Sequence, residues 1–311
     1  MKKKITYKVK NWPEYNKSLI QRGNVRVWFD EKSIDKWTYR HDSQLLRGRP
    51  TQYSDFAIEC ALTFRSLYRL PLRATQGFLE GLMNLLGLEI PIPDYTTLSR
   101  RAKLLVIDLG IRRQVGKNID IVIDSTGLKV YGEGEWKIRI HGKQKRRTWR
   151  KLHLSMDPDS HETISMELTQ NNVGDNKKLP DLLSSQKNIN NVYADGAYGY
   201  KNCFDAIAGI GAKAIIAIRG GTALAKNPSL GLEQRNKIVK EVWESGGRDE
   251  WKKKSGYHKR SLVENQMYRY KTTFGEKLQN RKFCNQIIEA KMKLSILNRM
   301  TRLGMPNTIA L

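Results

Sequence analysis

The sequence predicts an α/β protein: a mixed five-stranded sheet flanked by helices, preceded by a helical N-terminal region. Three observations predict it. Residues 54–106 read as helix throughout. From about residue 118 the apolar pattern changes to short, nearly continuous runs of β-branched residues. Three such strands in succession are then followed by strands alternating with helices, the order of a meander joined to βα units.

Taken in order, residues 1–50 are polar and basic, with 13 Lys/Arg against 5 Asp/Glu. They predict a loose arm containing short elements. Arg47-Gly48-Arg49-Pro50 resembles the core of an AT-hook, which lays two arginines in a narrow minor groove, and it suits a basic linker equally. Ser54 is a good N-cap for a helix reaching about Arg69. A second helix covers about 72–86, and Pro91 and Pro93 break the chain. Asp94 caps a third, about 95–106, which carries Thr96, Thr97, Ser99, Arg100 and Arg101. Helix, break, then a helix with hydroxyls and arginines near its start resembles a helix-turn-helix. The break is longer than that motif's usual turn, and a bundle packed on the following domain is the other reading.

Ile119–Ile123 reads as a central strand, with Asp124 at its end. Trp149–Met156 and Glu162–Thr169 are two more, joined by the turn Asp157-Pro158-Asp159-Ser160. A helix of about 176–186 follows, then the strand Asn191–Ala194 ending in Asp195-Gly196. A helix of about 200–209 and the strand Lys213–Ile218 complete the alternation. Residues 219–256 read as a long, Gly-rich, basic linker. Gly256 and Gly275 bracket a helix over 257–271, and a last, basic helix covers about 281–302. The domains expected are a basic arm (1–53), a helical DNA-binding region (54–117), a catalytic domain (118–280) and a C-terminal helix packed on it (281–311).

Composition narrows the function. The 311 residues carry a formal net charge of +25. That excess suits nucleic acid or an anionic membrane surface, not a small neutral substrate. No apolar run approaches the ~18 residues of a membrane span. Met1-Lys2-Lys3-Lys4 lacks the apolar stretch of a signal peptide. Cys60, Cys203 and Cys284 lie far apart, which argues against a disulfide framework or a zinc site. His153, on a strand, reads as structural or phosphate-facing.

The chemistry is carried by acids. If the strands ending at Asp124 and Asp195 are parallel neighbours, their backbones lie about 4.8 Å apart and both aspartates project from one sheet edge. In the 257–271 helix, Tyr257, Arg260, Glu264 and Lys271 fall within a wedge of about 60°. One face thus sets a lone carboxylate among an aromatic and two cations. Asp124, Asp195 and Glu264 together make a hard oxygen donor set, which selects Mg²⁺ or Mn²⁺ over zinc and can hold two ions about 3.5–4 Å apart. Such a pair serves in-line displacement at phosphorus without a side-chain nucleophile. Ser125-Thr126-Gly127 and Gly196-Ala197-Tyr198-Gly199 are small enough beside the aspartates to admit a DNA backbone.

These residues carry a resemblance. Asp124 in Ile-Val-Ile-Asp-Ser-Thr-Gly, Asp195 in Tyr-Ala-Asp-Gly-Ala-Tyr, and Glu264 are similar to the three acidic positions of the DDE transposases of bacterial insertion sequences. Tyr257, Arg260, Glu264 and Lys271 fill the Tyr-x2-Arg-x3-Glu-x6-Lys signature of one group, and the chain most resembles the type numbered five. The likeness extends to Trp149-Arg150-Lys151-Leu152-His153 and Asn172-Val173-Gly174-Asp175. It implies an RNase H-like core, metal-dependent cutting at terminal inverted repeats, and attack by the freed 3′-hydroxyl on a target phosphodiester. It implies two Mg²⁺ (or Mn²⁺) ions on the three acids, and double-stranded DNA as partner. A homodimer or larger assembly would pair two element ends in the bacterial cytoplasm, at the nucleoid. Arg260 and Lys271 would hold phosphates and Tyr257 would stack on or bond to DNA. Lys271 lies about 10 Å along the helix from Glu264, so a neighbouring phosphate is its expected contact. Trp243 would either stack on a displaced base or belong to the core. Arg47, Arg49, Arg100, Arg101, Arg150 and Lys151 are further expected DNA contacts, with the basic stretches 137–151 and 250–311. A DNA-binding relative without catalysis, or an RNase H-like nuclease without strand transfer, are the alternatives.

Overall fold

A computed structural model describes residues 7–29, 31–39, 52–111, 116–130, 149–184 and 186–310. Arg47, Arg49 and the basic stretch up to residue 148 lie outside these residues. The chain divides into two compact units, Met1–Ile107 with Ser295–Leu311, and Asp108–Leu294.

The first unit is helical. It contains β1 (Tyr7–Val9), α1 (Trp12–Gln21), α2 (Val25–Trp28) and a 3-10 turn at Glu31–Lys36, then α3 (Asp55–Leu67), α4 (Leu72–Leu85) and α5 (Tyr95–Ala102). Where a loose arm is expected, residues 7–39 are therefore built into the unit. The reason is pairing distant in sequence: β1 runs antiparallel to Thr308–Ala310, and Asn11 and Arg22 donate to the carbonyls of Met305 and Gly304. Such partners are invisible in a local reading. The three expected helices form, the third ending at Ala102 rather than near 106. Ser54 caps α3 by accepting from the Ala57 amide, and Asp94 caps α5 by accepting from the Thr96 and Thr97 amides and hydroxyls. Trp37, Ile58, Phe64, Leu79, Met83 and Leu98 make the core.

The second unit carries β2 (Ile119–Lys129), β3 (Trp149–Met156), β4 (Thr163–Gln170), α6 (Leu179–Leu183), β5 (Ile189–Ala194), α7 (Lys201–Gly209), β6 (Lys213–Ile216), α8 (Leu230–Glu244), α9 (Arg248–Lys254) and α10 (Ser261–Phe274). It also holds the first part of α11 (Phe283–Leu303), the helix before β7 (Thr308–Ala310). The sheet order is β4-β3-β2-β5-β6. β2 pairs antiparallel with β3 and parallel with β5, and β5 pairs parallel with β6. This is the mixed, RNase H-like sheet expected. Ile121, Val122 and Ile123 are all fully buried, as a strand covered on both faces requires. α10 packs on β2 and β3, and α6 on β3 and β4. α10 buries Val263, Gln266, Met267, Tyr270 and Phe274 at helical spacing, a stripe that is apolar but for Gln266, which donates to Thr163.

Three expectations are corrected. Asp124 does not end its strand: β2 runs five residues further, because Leu154 to Trp149 of β3 keep pairing with it. Residues 219–256 are not a linker, for they contain α8 and α9. Ser229 caps α8 by accepting from the Leu232 amide, and Ile238, Val239 and Val242 bury one face. The glycines that suggested a loop lie outside α8 or at helix ends, and Gly246 and Gly247 both have positive φ. Last, the expected 176–186 helix is a 3-10 turn at Asp175–Lys177 followed by the short α6.

Gly231 lets α8 approach α7. A Cβ there would come within 2.4 Å of the Phe204 carbonyl carbon and 2.3 Å of the Asp205 amide. Gly231→Ala should lower unfolding free energy by about 1–3 kcal/mol, the usual cost of overpacking; a urea midpoint equal to the parent's would show that the helices separate freely.

Candidate active site

Two neighbouring strands set the site. The last paired residues of β2 and β5 are Val122 and Tyr193. Continued by two residues, that register brings Asp124 and Asp195 to one level on adjacent parallel strands. Each carboxylate is oriented by backbone: Asp124 Oδ1 accepts from the Ser125 amide at 2.8 Å, and Asp195 Oδ1 from the Ala197 amide at 2.8 Å.

The third acid comes from α10, entered through a 3-10 turn at Tyr257–Arg260 rather than as one continuous helix. Gly256, at φ 69°, takes the left-handed conformation that starts this turn. Arg260 stands at the junction and spans two acids. Its Nη1 donates to Asp124 Oδ2 at 2.9 Å and its Nη2 to Glu264 Oε1 at 2.6 Å. The Asp124 and Arg260 side chains are 17% and 22% exposed, Glu264 54%, so the cluster opens to solvent on the Glu264 side.

Burial pushes the Asp124 carboxyl up to about 6. The Ser125 amide and Arg260 oppose that rise, and the charges of Asp195 and Glu264 add to it. The Arg260 guanidinium is raised: burial works against its charge, and Tyr257, Asp124 and Glu264 outweigh it. Burial likewise raises the Tyr257 phenol, which lies in the field of Arg260, Asp195 and Asp124 and packs at 6.1 Å on Trp251. Asp124, Asp195, Glu264, Arg260 and Tyr257 are thus brought into one electrostatic neighbourhood.

Lys271 is not among them. It lies near Glu276, whose carboxyl it helps to lower and whose principal partner is Lys129, at 2.9 Å. Lys129 is five residues along β2 from Asp124, about 16 Å at strand rise. Arg150 donates to Gln286 at 2.9 Å and lies over the Phe283 ring. Lys151 pairs with Asp175 at 3.2 Å. In the first unit Arg101 is held by Asp55 and the Tyr53 carbonyl, whereas Arg100 is exposed. Trp243 is 62% exposed on α8, so it is not a core residue.

Other residues around the site carry no local motif. Asp120 accepts from Asn191 at 2.7 Å and pairs with Lys259 at 2.9 Å, tying β2, β5 and the 3-10 turn together. His153 is fully buried and faces no phosphate. Its Nε2 lies 2.9 Å from Thr169 Oγ1 and its Nδ1 3.5 Å from Asp175 Oδ1. Burial lowers its imidazole to about 4, so it is neutral at pH 7. Tyr198 is fully buried, and its phenol is raised first by burial, then by Asp175, Asp124 and Asp195. Trp149–His153, Asn172–Asp175 and Gly196–Gly199 each stand out in the sequence, but nothing local shows that His153, Asp175 and Tyr198 meet.

Among the described residues no three Asp, Glu, His or Cys side chains are gathered tightly enough to hold a metal ion. The donor chemistry still suits a hard divalent ion. Asp124 and Asp195 are oxygen donors at one level, and the carboxyl of Asp124 is strained by its own charge. What separates Glu264 from Asp124 is the guanidinium bonded to both.

A family model described as Transposase DDE domain matches residues 116–299, more than half of the chain, and a second with that description matches residues 20–133. The longer match runs from the start of β2 into α11 and takes in the whole mixed sheet with its acids. No described helix is long and apolar enough to cross a membrane. On the match and the sheet together, the chain belongs to the DDE-domain transposases.

Proposed function

We infer that the chain binds the terminal inverted repeats of an insertion sequence, cuts at their ends and joins them to target DNA, with Asp124, Asp195 and Glu264 as the catalytic acids. One observation carries this reading: the β2–β5 register levels Asp124 with Asp195 while Arg260 ties Glu264 to the same carboxylate. Asp124, Asp195 and Glu264 would hold two Mg²⁺ or Mn²⁺ ions, which when bound supply an activated oxygen nucleophile and neutralise charge at the leaving oxygen.

The chain's own residues orient the phosphodiester. In cutting, a water oxygen bonds to phosphorus as the P–O3′ bond breaks, and the 3′ oxygen leaves with a proton as a hydroxyl. In joining, that 3′ hydroxyl loses its proton as its oxygen bonds to a target phosphorus, the target's P–O3′ bond breaks, and the displaced target 3′ oxygen takes up a proton and leaves as a hydroxyl. Arg260 offers a planar fork for a phosphate near the reacting centre. Tyr257 offers a ring beside it. Lys271 suits a phosphate further along the backbone, and Trp243 a base displaced near α8. Arg100, exposed on α5, suits a phosphate of an element end. Two ends must be held for joining, which calls for at least two copies of the chain.

Asp124→Asn, Asp195→Asn and Glu264→Gln should each reduce cutting of labelled element ends below about one-hundredth of the parent rate, while gel-shift affinity for those ends stays within about threefold. Near-native cutting by any one variant removes that residue from the set. Retarded but uncut DNA with the parent protein would favour a binder without catalysis, and nicks without joined product a nuclease.

The folded Asp124 carboxyl is raised from 3.8 to about 6, so its ionisation costs nothing below the lower value and its full penalty above the higher. In chelator at pH 7, Asp124→Asn should therefore raise unfolding free energy by about 1–3 kcal/mol, and the gain should vanish near pH 4. A lower thermal midpoint at pH 7 would mean that the bond to Arg260 outweighs the burial.

A further inference from the structure

We propose that Arg260 is an internal stand-in for the divalent ions: without DNA its guanidinium occupies Asp124 and Glu264, and only a DNA phosphate that draws it away frees them for ion binding. This rests on the reading of those acids as the ion-holding set. It adds an order of assembly, DNA before metal.

The geometry carries the argument. Each terminal nitrogen of Arg260 is committed to a different acid, at 2.9 and 2.6 Å. A guanidinium so placed fills the space between Asp124 and Glu264, and a second cation there would meet its positive charge directly. No other described cation spans these acids: the neighbouring Lys259 is turned to Asp120 and the Tyr193 ring. The clamp also lies where it can open. Glu264 is the exposed partner, and Arg260 sits at the end of a 3-10 turn, so a rotation of its side chain toward solvent needs no backbone change. A phosphate offers the guanidinium the same two-pronged acceptor geometry as a carboxylate, so an arriving DNA strand competes for it on equal chemical terms.

The coupling has a use. Ions held by the free protein could activate water away from any substrate, whereas acids neutralised by their own arginine stay unloaded until a phosphodiester is in place.

The test is Mn²⁺ binding to the purified full chain without DNA, read from the electron paramagnetic resonance of free Mn²⁺. Arg260→Gln should bind Mn²⁺ about tenfold more tightly than the parent, a shift of about 1.4 kcal/mol. Arg260→Lys, whose single ammonium cannot span both acids, should show a smaller gain in the same direction and serves if the glutamine variant does not fold. Lys259→Gln removes an adjacent charge that touches neither acid and should change the affinity less than about twofold. Equal or weaker binding in both Arg260 variants, or an equal gain in Lys259→Gln, overturns the proposal. The double variant Asp124→Asn/Arg260→Gln separates the two readings. Loss of the gain supports both. A gain that persists without the Asp124 charge removes Asp124 from the ion-holding set, whatever Arg260 does.

Discussion

Asp124 and Asp195 each stand two residues beyond the last paired residues of two neighbouring parallel strands, and the charge of Asp195 adds to the cost that burial sets on ionising Asp124. Much of what surrounds Asp124 bears on that cost. β2 is covered on both faces and flanked by β3 and β5, so Asp124 cannot move away from its neighbour. Burial then removes the water that would screen it, and its carboxyl rises to about 6. The backbone amides of Ser125 and Ala197 and the guanidinium of Arg260 are what the fold supplies against this cost. A site strained until a cation or substrate arrives is a familiar outcome when residues are selected for chemistry at some expense of stability.

Most of the frame was legible in the residues. All five strands could be read, because buried parallel strands are unbroken β-branched runs and the 157–160 turn is unambiguous. β3 forms over the expected Trp149–Met156. The failures have two causes. The length of β2 past Asp124, the β1–β7 pairing and the helices in 219–256 are decided by partners distant in sequence or by an amphipathic pattern diluted with glycine and lysine. Local composition weighs such segments toward loop.

The site shows the same division. Asp124, Asp195 and Glu264 announce themselves by their places on strands and helix and by a spaced signature. Their mutual arrangement does not. A helical wheel puts Arg260 and Glu264 on one face, yet it cannot say that the arginine reaches across to β2. Nor could it place Lys271 near Glu276, whose carboxylate pairs with Lys129 at the end of β2. The charges of Arg150, Lys151 and Arg101 look free in sequence and are bonded in the fold to Gln286, Asp175 and Asp55. Asp175, His153 and Tyr198 enter the neighbourhood only through the packing of a short 3-10 turn against the strands.

The excursion through α8 and α9 separates the strand-borne pair of acids from the helix-borne third. Its ends are pinned, at β6 by the Gln234 side chain, which exchanges bonds with the backbone of Ala212 and Ala214, and at the entry to α10 by Lys259 on Asp120. Between those two pins Ile238, Val239, Val242 and Trp251 are buried, and the turn joining α8 to α9 at Gly246 and Gly247, where Gly246 is exposed, is the place where the polypeptide can lengthen without shifting either anchor. Natural enlargements and deletions are expected to accumulate in this part of the fold, and a foreign domain spliced there would ride on the enzyme without pulling its acids apart.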